Sequence, residues 1–410
     1  MHNVGIDALA VYTSRYMLDL ALLAERRNID PEKYRISLGQ YNMSVPPPGE
    51  DIVTMAANAA QQVLNEAKID VNDIAMLLFA TESASDHSKA AGIYVHRLLQ
   101  LSPQCRIVEL KQACYSATAA IQLSLPYLRE NPQKKVLVIA ADIARYALHS
   151  AAESSQGCGA IAIILAANPR ILAIENEYGV MTEDVMDFWR PNYLAHALVD
   201  GKASSKLYLA MLEKTWQHYC AVSKREFKDH AAFCYHAPVP RLVENAHKHL
   251  LKLNQQEDVA HVLLQASLHY SREIGNSYSA ALYVCLTSLL DLAADDLTHK
   301  RIGFYSYGSG CVAEYFSGIV QADYQRALQA VYHQQMLAER IALSYEEYEA
   351  FYAFQYPEDG QAFMVPQYNT GAFRLVRIEQ HKRIYEAVEK VTLVEFKESE
   401  KIYLQAQGAL

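Results

Sequence analysis

The stretch that decides the fold is residues 105–129, CRIVELKQACYSATAAIQLSLPYLR. Its first six residues, Cys105–Leu110, are apolar and β-branched enough for a short strand. A brief polar turn follows, and Ala117–Arg129 then carries the spacing and alanine content of a helix. Strand, tight turn and buried helix is the unit of an α/β protein. The same rhythm extends outward. Ile74–Ala80 (IAMLLFA), Lys135–Ala141 and Ala160–Leu165 read as strands, and Ile52–Glu66 and Ser88–Leu99 as helices. Near-continuous apolar strands between helices imply a sheet covered on both faces. The second part repeats the pattern, with a helix over Leu207–Cys220, a strand at Ala231–Tyr235 and a helix at Arg241–Leu253. A long helix at Tyr278–Leu292 and strands at Arg301–Ser306 and Cys311–Tyr315 follow. No linker separates the parts, so the reading is one duplicated body with halves at 1–167 and 168–410. The stretch after about Glu346, rich in Tyr, Phe and Gln, reads as an appendage wrapped on the core.

Composition narrows the function. The 410 residues hold 37 Lys+Arg against 46 Asp+Glu, a net charge of −9. That balance argues against nucleic-acid binding, which needs a basic face. With 51% hydrophobic and 20% charged residues the chain is globular, not disordered. Seven cysteines with no CxxC pair suit a reducing cytosol and neither a disulfide framework nor a zinc site. The opening MHNVGIDALAVYTS has no basic and apolar leader pattern, and the longest apolar run, CGAIAIILAA at 158–167, is too short to span a membrane as a helix. The expectation is a cytoplasmic protein without membrane or nucleic-acid partners.

Several residues at strand ends or helix starts are candidates for chemistry. Cys114 stands between strand and helix, where free N–H groups and the helix dipole favour a thiolate. A small buried hydrophobe is the plain alternative. Glu82 follows the strand Ile74–Ala80, a position for a general acid or base, or for a helix cap. His236 follows the strand Ala231–Tyr235, with Pro238 and Pro240 behind it, and suits proton transfer or carbonyl polarisation. Asn276 precedes a helix as a cap or an amide donor. Tyr307-Gly-Ser-Gly310 is either a tight turn or a cradle for an oxygen. A Cys, a Glu, a His, an Asn and a Gly-Ser-Gly turn together form the set for acyl transfer through a thioester.

In order and spacing these segments resemble the hydroxymethylglutaryl-CoA synthase family, of the thiolase superfamily, with its bacterial branch nearest. The blocks are ATESASDHSKAAG (80–92), ELKQACYSATAAIQL (109–123), VLVIAADIARYALHS (136–150) and TEDVMDFWRP (182–191). They continue with LVDGKASSKLYL (198–209), FCYHAPVPRLVENA (233–246), GNSYSAALYVCLTSLL (275–290) and FYSYGSGCVAEYFSG (304–318). The resemblance implies a five-layer αβαβα fold of two similar halves and a homodimer. It implies that Cys114 takes the acetyl group of acetyl-CoA. Glu82 is then the base for condensation with acetoacetyl-CoA, and His236 holds the acetoacetyl oxygen. Tyr146, Asn276 and Ser309 match positions that line the acyl pocket, Ser204 a substrate-binding position, and the N–H groups of Cys114 and Ser309 the oxyanion hole. No metal or organic cofactor is implied. Basic residues on the helix after the histidine contact CoA phosphates in this family; Arg241 keeps one such charge, and the next position is Asn245. That departure keeps open the relatives of polyketide pathways, which act on acyl-carrier-protein thioesters.

Overall fold

A computed structural model describes residues 2–257 and 261–388. Nine strands form the main sheet: β1 (Val4–Tyr12), β2 (Ile74–Ala80), β3 (Arg106–Leu110), β4 (Lys135–Ala144), β5 (Gly157–Ala167), β6 (Leu172–Thr182), β7 (Ala232–Tyr235), β8 (Arg301–Gly308) and β9 (Val312–Val320). Their order is β7-β8-β9-β6-β1-β5-β4-β2-β3. Within β1–β5 the spatial order is third, second, fourth, fifth, first. Strands β6–β9 repeat it without the third. In each set the last strand runs antiparallel to both its neighbours. Among the described residues the two sets pair with each other where Gly5 and Ile6 of β1 meet Ala173 and Leu172 of β6. A Cβ on Gly5 would lie 2.0 Å from the Leu172 carbonyl oxygen, so this crossing requires glycine.

Period-two alternation builds the layers. On β5, Ile161, Ile163 and Leu165 face a central core, and Ala160, Ala162 and Ile164 face an outer one. The central core also takes Ile121 and Leu125 of the helix Ser116–Glu130, Leu286 and Leu289 of the helix Ala281–Leu292, and Phe304 and Phe316 from the second sheet. The helix Ile52–Glu66 covers the outer face of the first sheet with Met55, Ala59 and Val63. The helices Gly201–Ser223 and Pro240–Leu253 cover the second, through Met211, Tyr219 and Val243. The result is helix, sheet, helix, sheet, helix: the five layers expected.

Several element bounds differ from the sequence reading, each for a local reason. The helix expected at Ser88–Leu99 begins at Ala91, because Asp86 accepts from the N–H groups of Ser88 and Lys89 and holds them in a turn. The helix expected at Leu207–Cys220 spans Gly201–Ser223, because Asp200 caps it by accepting from Ala203 N–H. Tyr278–Ala280 is a 3₁₀ turn with Tyr278 at φ +45°, and the α-helix starts at Ala281. The part of the expected appendage up to residue 388 packs on the first half, although it follows the second in sequence, and its remainder, 389–410, lies outside the described residues. Phe373, Leu375 and Tyr385 join the outer core of the first sheet, and Tyr385 Oη donates to Asp51 Oδ2 at 2.6 Å, at the cap of the helix Ile52–Glu66.

One buried carboxyl makes the fold pH-sensitive. Glu314 on β9 accepts from Tyr115 Oη and Gln122 Nε2, both at 2.6 Å, and burial pushes it up to about 7 from 4.5. The folded protein therefore keeps a proton that the unfolded chain loses, and stability falls as pH rises from about 4.5 to 7. Glu314→Gln removes this dependence. Relative to wild type, the variant should gain on the order of 1–3 kcal/mol between pH 4.5 and pH 8. Urea midpoints at the two pH values check this; parallel shifts would contradict it.

Candidate active site

The strand–turn–helix unit presents Cys114 much as the sequence suggests. β3 ends at Leu110, the chain turns through Ala113 at φ +44°, and the helix starts at Ser116. A non-glycine residue in the left-handed region at a nucleophile's elbow is strain of the kind stored at functional sites. Gly308, at the end of β8, lets this turn close: a Cβ there would stand 2.5 Å from the Gln112 carbonyl oxygen. Gln112 Nε2 in turn donates to the Ser309 carbonyl at 3.1 Å. The turns of the two halves thus hold each other.

Cys114 Sγ donates to Glu82 Oε1 at 3.1 Å. Burial pushes Glu82 up to about 8, and Asp142 nearby adds to the rise. The Cys114 thiol is pushed well above its usual range, first by burial and then by the Glu82 charge. This corrects the expectation of a helix-stabilised thiolate. Cys114 lies two residues ahead of the helix and faces a carboxyl group, so the resting pair holds its protons.

Glu82 is itself held by a residue that sequence reasoning did not single out. Asp142, at the end of β4 and buried, accepts from Thr81 Oγ1 (2.8 Å), Glu82 N–H (2.9 Å), Ser279 N–H (3.0 Å) and the Ser279 hydroxyl. It ties the end of β2 to the 3₁₀ turn of the other half. Arg190 donates to the Glu82 carbonyl oxygen from the far side. Asp187 plays a parallel part beside the Gly-Ser-Gly turn. It accepts from Tyr307 Oη (2.6 Å), Gly310 N–H (3.0 Å) and Ser204 Oγ (3.0 Å). Both aspartates lie inside quoted motif blocks, but only the fold shows which groups they bridge.

A cavity of about 300 Å³ opens at Cys114. Tyr146, Ser204, His236, Asn276 and Ser309 line it, so six of the eight candidate residues meet there. Glu82 reaches it through Cys114. Arg241 does not line it: its guanidinium donates to the Ile36 carbonyl at 2.9 Å and pairs with Glu244. His236 is buried, held by its N–H to the Tyr305 carbonyl (2.8 Å) and by Tyr208 Oη on its own carbonyl (2.7 Å). Burial pushes its ring down to about 3, so it is a neutral imidazole. Its Nδ1 has no hydrogen-bond partner among the described residues. Asn276 Oδ1 accepts from Tyr278 N–H at 2.8 Å, just ahead of the 3₁₀ turn, while the residue also lines the cavity. The described residues hold no cluster of His, Cys, Asp and Glu suited to a metal ion.

The family models for the N-terminal and C-terminal parts of hydroxymethylglutaryl-coenzyme A synthase match residues 1–169 and 243–386. The chain belongs to the hydroxymethylglutaryl-CoA synthase family. It is 41% identical to the hydroxymethylglutaryl-CoA synthase of Enterococcus faecalis over 355 residues, covering 86% of this chain and 92% of that one. It is 32% identical to the polyketide-biosynthesis 3-hydroxy-3-methylglutaryl-ACP synthase of Bacillus subtilis, covering 86% and 88%. Its fold matches a crystal structure of a family member complexed with CoA, with TM-score 0.90 and 38% identity over 95% of this chain and all of that one. The thiolase-like fold of this synthase family is the one described above.

Proposed function

We propose that the protein condenses acetyl-CoA with acetoacetyl-CoA and water to give HMG-CoA and CoA. The observation that carries this reading is the Cys114–Glu82 contact at the floor of a cavity that also holds a neutral His236. Once Glu82 has ionised, it takes the thiol proton as Cys114 sulfur attacks the acetyl thioester. The proton then leaves on the CoA sulfur, and Glu82 is a carboxylate again. It removes a proton from the methyl of acetyl-Cys114, and the resulting carbon adds to the keto carbon of acetoacetyl-CoA. His236 hydrogen-bonds the keto oxygen, and Glu82 returns the proton to the new alkoxide. Water then cleaves the enzyme thioester and regenerates the thiol. Covalent capture makes the carbon–carbon step intramolecular on one side, and the thioester acidifies the α-carbon. That activation needs no metal or organic cofactor.

Tyr146, Asn276 and Ser309 shape the acyl pocket in this reading, with the N–H groups of Cys114 and Ser309 as oxyanion donors. Ser204 binds substrate and fastens Asp187, while Arg241 stands outside the cavity with its charge taken up by Glu244. We divide the catalytic body at 167/168, the point where the strand order starts again. Pure protein given both CoA thioesters should release CoA, and should do so faster than with an acetylated carrier protein. Release only from the carrier would favour the polyketide-pathway reading that the 32% relative supports.

The assembly we propose is a homodimer. β3 is the last strand of the sheet, and its outer edge pairs with no strand among the described residues. It carries Val108 at 49% exposure. An open, apolar edge strand is a template for pairing. Sedimentation should give twice the 46.1 kDa chain mass, and Val108→Lys should reduce it; a monomeric wild type would contradict the assignment. Seven free cysteines suit a reducing cytoplasm. No helix among the described residues is long and apolar enough to cross a membrane.

A further inference from the structure

The helix Gly201–Ser223 has an electrostatic anomaly at its start. Gly201, Ser204, Ser205 and Tyr208 face the cavity. Lys202 and Lys206 stand on the flank of that face, both exposed, one turn apart. Like charges at i and i+4 repel. Cations at a helix N-terminus oppose the dipole, which favours anions there. The first turn carries no acidic side chain, and the nearby carboxylates are already taken up: Asp200 as the cap by Ala203 N–H, and Asp187 by Ser204 Oγ, Tyr307 Oη and Gly310 N–H. Neither lysine pairs with a carboxylate among the described residues, whereas Lys214, further along the same helix, pairs with Glu183. Three unfavourable features at one place gain nothing for folding.

The second helix at the mouth strengthens the field. Pro238, Val239 and Leu242 form the opposite rim, at the start of the helix Pro240–Leu253. The two helices run side by side in the same direction: Glu213 meets His249 at 3.2 Å, and Trp216 Nε1 meets Asn254 Oδ1 at 3.2 Å. Lys206 and Leu242 each lie two turns back from this contact, on the way to the cavity mouth that Ser205 and Leu242 line. Both N-termini therefore point at the mouth, and their dipoles add. The second helix offers little free positive charge of its own. Arg241 is bound to Glu244 and to the Ile36 carbonyl, and position 245 is an asparagine.

We propose that Lys202 and Lys206 bind the phosphates of the CoA nucleotide at the cavity mouth, making the first two turns of this helix the part of the site that selects a nucleotide-bearing thioester. This rests on the CoA reading above. A 300 Å³ cavity takes the acyl end and its thiol arm and leaves the charged nucleotide outside. Phosphate oxygens there complete the unpaired ammonium groups and meet the helix dipoles.

The test compares acetyl-CoA with acetylpantetheine, which lacks the nucleotide, as donors in Cys114 acetylation by the full-length protein. Lys202→Glu/Lys206→Glu should raise KM for acetyl-CoA about tenfold or more and flatten its rise with salt. KM for acetylpantetheine should stay at the wild-type value, which also shows that the variant is folded. An unchanged KM for acetyl-CoA would overturn the proposal. So would equal losses with both donors, or a loss seen only with an acetylated carrier protein. A wild-type protein that acetyl-CoA does not acetylate at all would instead overturn the CoA reading itself.

Discussion

Cys114→Ala should lower CoA release from acetyl-CoA and acetoacetyl-CoA by roughly 10⁴–10⁶-fold, while leaving the protein folded. The size follows from the absence of a substitute among the other six cysteines. Cys105, Cys220 and Cys311 are each pushed up to about 11 by burial. Cys158, Cys234 and Cys285 are enclosed in the apolar cores, where burial raises them further. None of the six lines the cavity. Removing one half-buried sulfur leaves the strand–turn–helix unit in place, because Ser116, Gln112 and Gly308 hold the turn independently. The assay is thiol release at saturating substrate, with circular dichroism to check the fold. Retention of more than a hundredth of the wild-type rate would mean that the chemistry does not pass through this thiol.

Glu82→Gln separates the two halves of the reaction. Its condensation rate should fall by about 10²–10⁴-fold, the usual worth of a general base. Acetylation of Cys114 should persist at a reduced rate, because a thiol that has lost its carboxylate neighbour still reacts as its thiolate fraction allows. The pH profile adds a second reading. In wild type the proton-accepting form of Glu82 increases as pH rises, so kcat/KM should climb to a plateau with a midpoint near 8. Glu82→Gln should abolish that rise. A variant that condenses normally but is not acetylated would reverse the two roles. A wild-type profile flat between pH 6 and 9 would remove Glu82 from the base role.

The sequence displays the outlines of this site and hides its connections. The strand-to-helix passage at 105–129 is legible because its apolar period changes over a few residues, and it puts Cys114 in the right place. Glu82 and His236 are legible for the same reason, each standing just past an apolar strand. Two strands escape the periodicity. β1 is buried on every residue, so its run of apolar residues shows no alternation. β6 mixes half-buried glutamates and the exposed Asn176 and Tyr178 with buried positions as it leaves the core. The Cys114 protonation state was unreadable, since a local rule about helix N-termini omits a carboxyl brought in from 32 residues away. Asp142 and Asp187 are invisible for a related reason. Each acts by joining segments more than 100 residues apart, Asp142 to Ser279 and Asp187 to Tyr307. Arg241 shows the opposite case. Its position suggested an anion-binding charge, yet the fold gives it to Glu244.

The most direct test of the account is intact-mass and peptide mass spectrometry of the protein mixed with acetyl-CoA and then chased with acetoacetyl-CoA. The account predicts one acetyl group, on the peptide that contains Cys114, present before the chase and gone after it, with HMG-CoA appearing in its place. No adduct, an adduct on another cysteine, or an acetyl-Cys114 that survives the chase would contradict it.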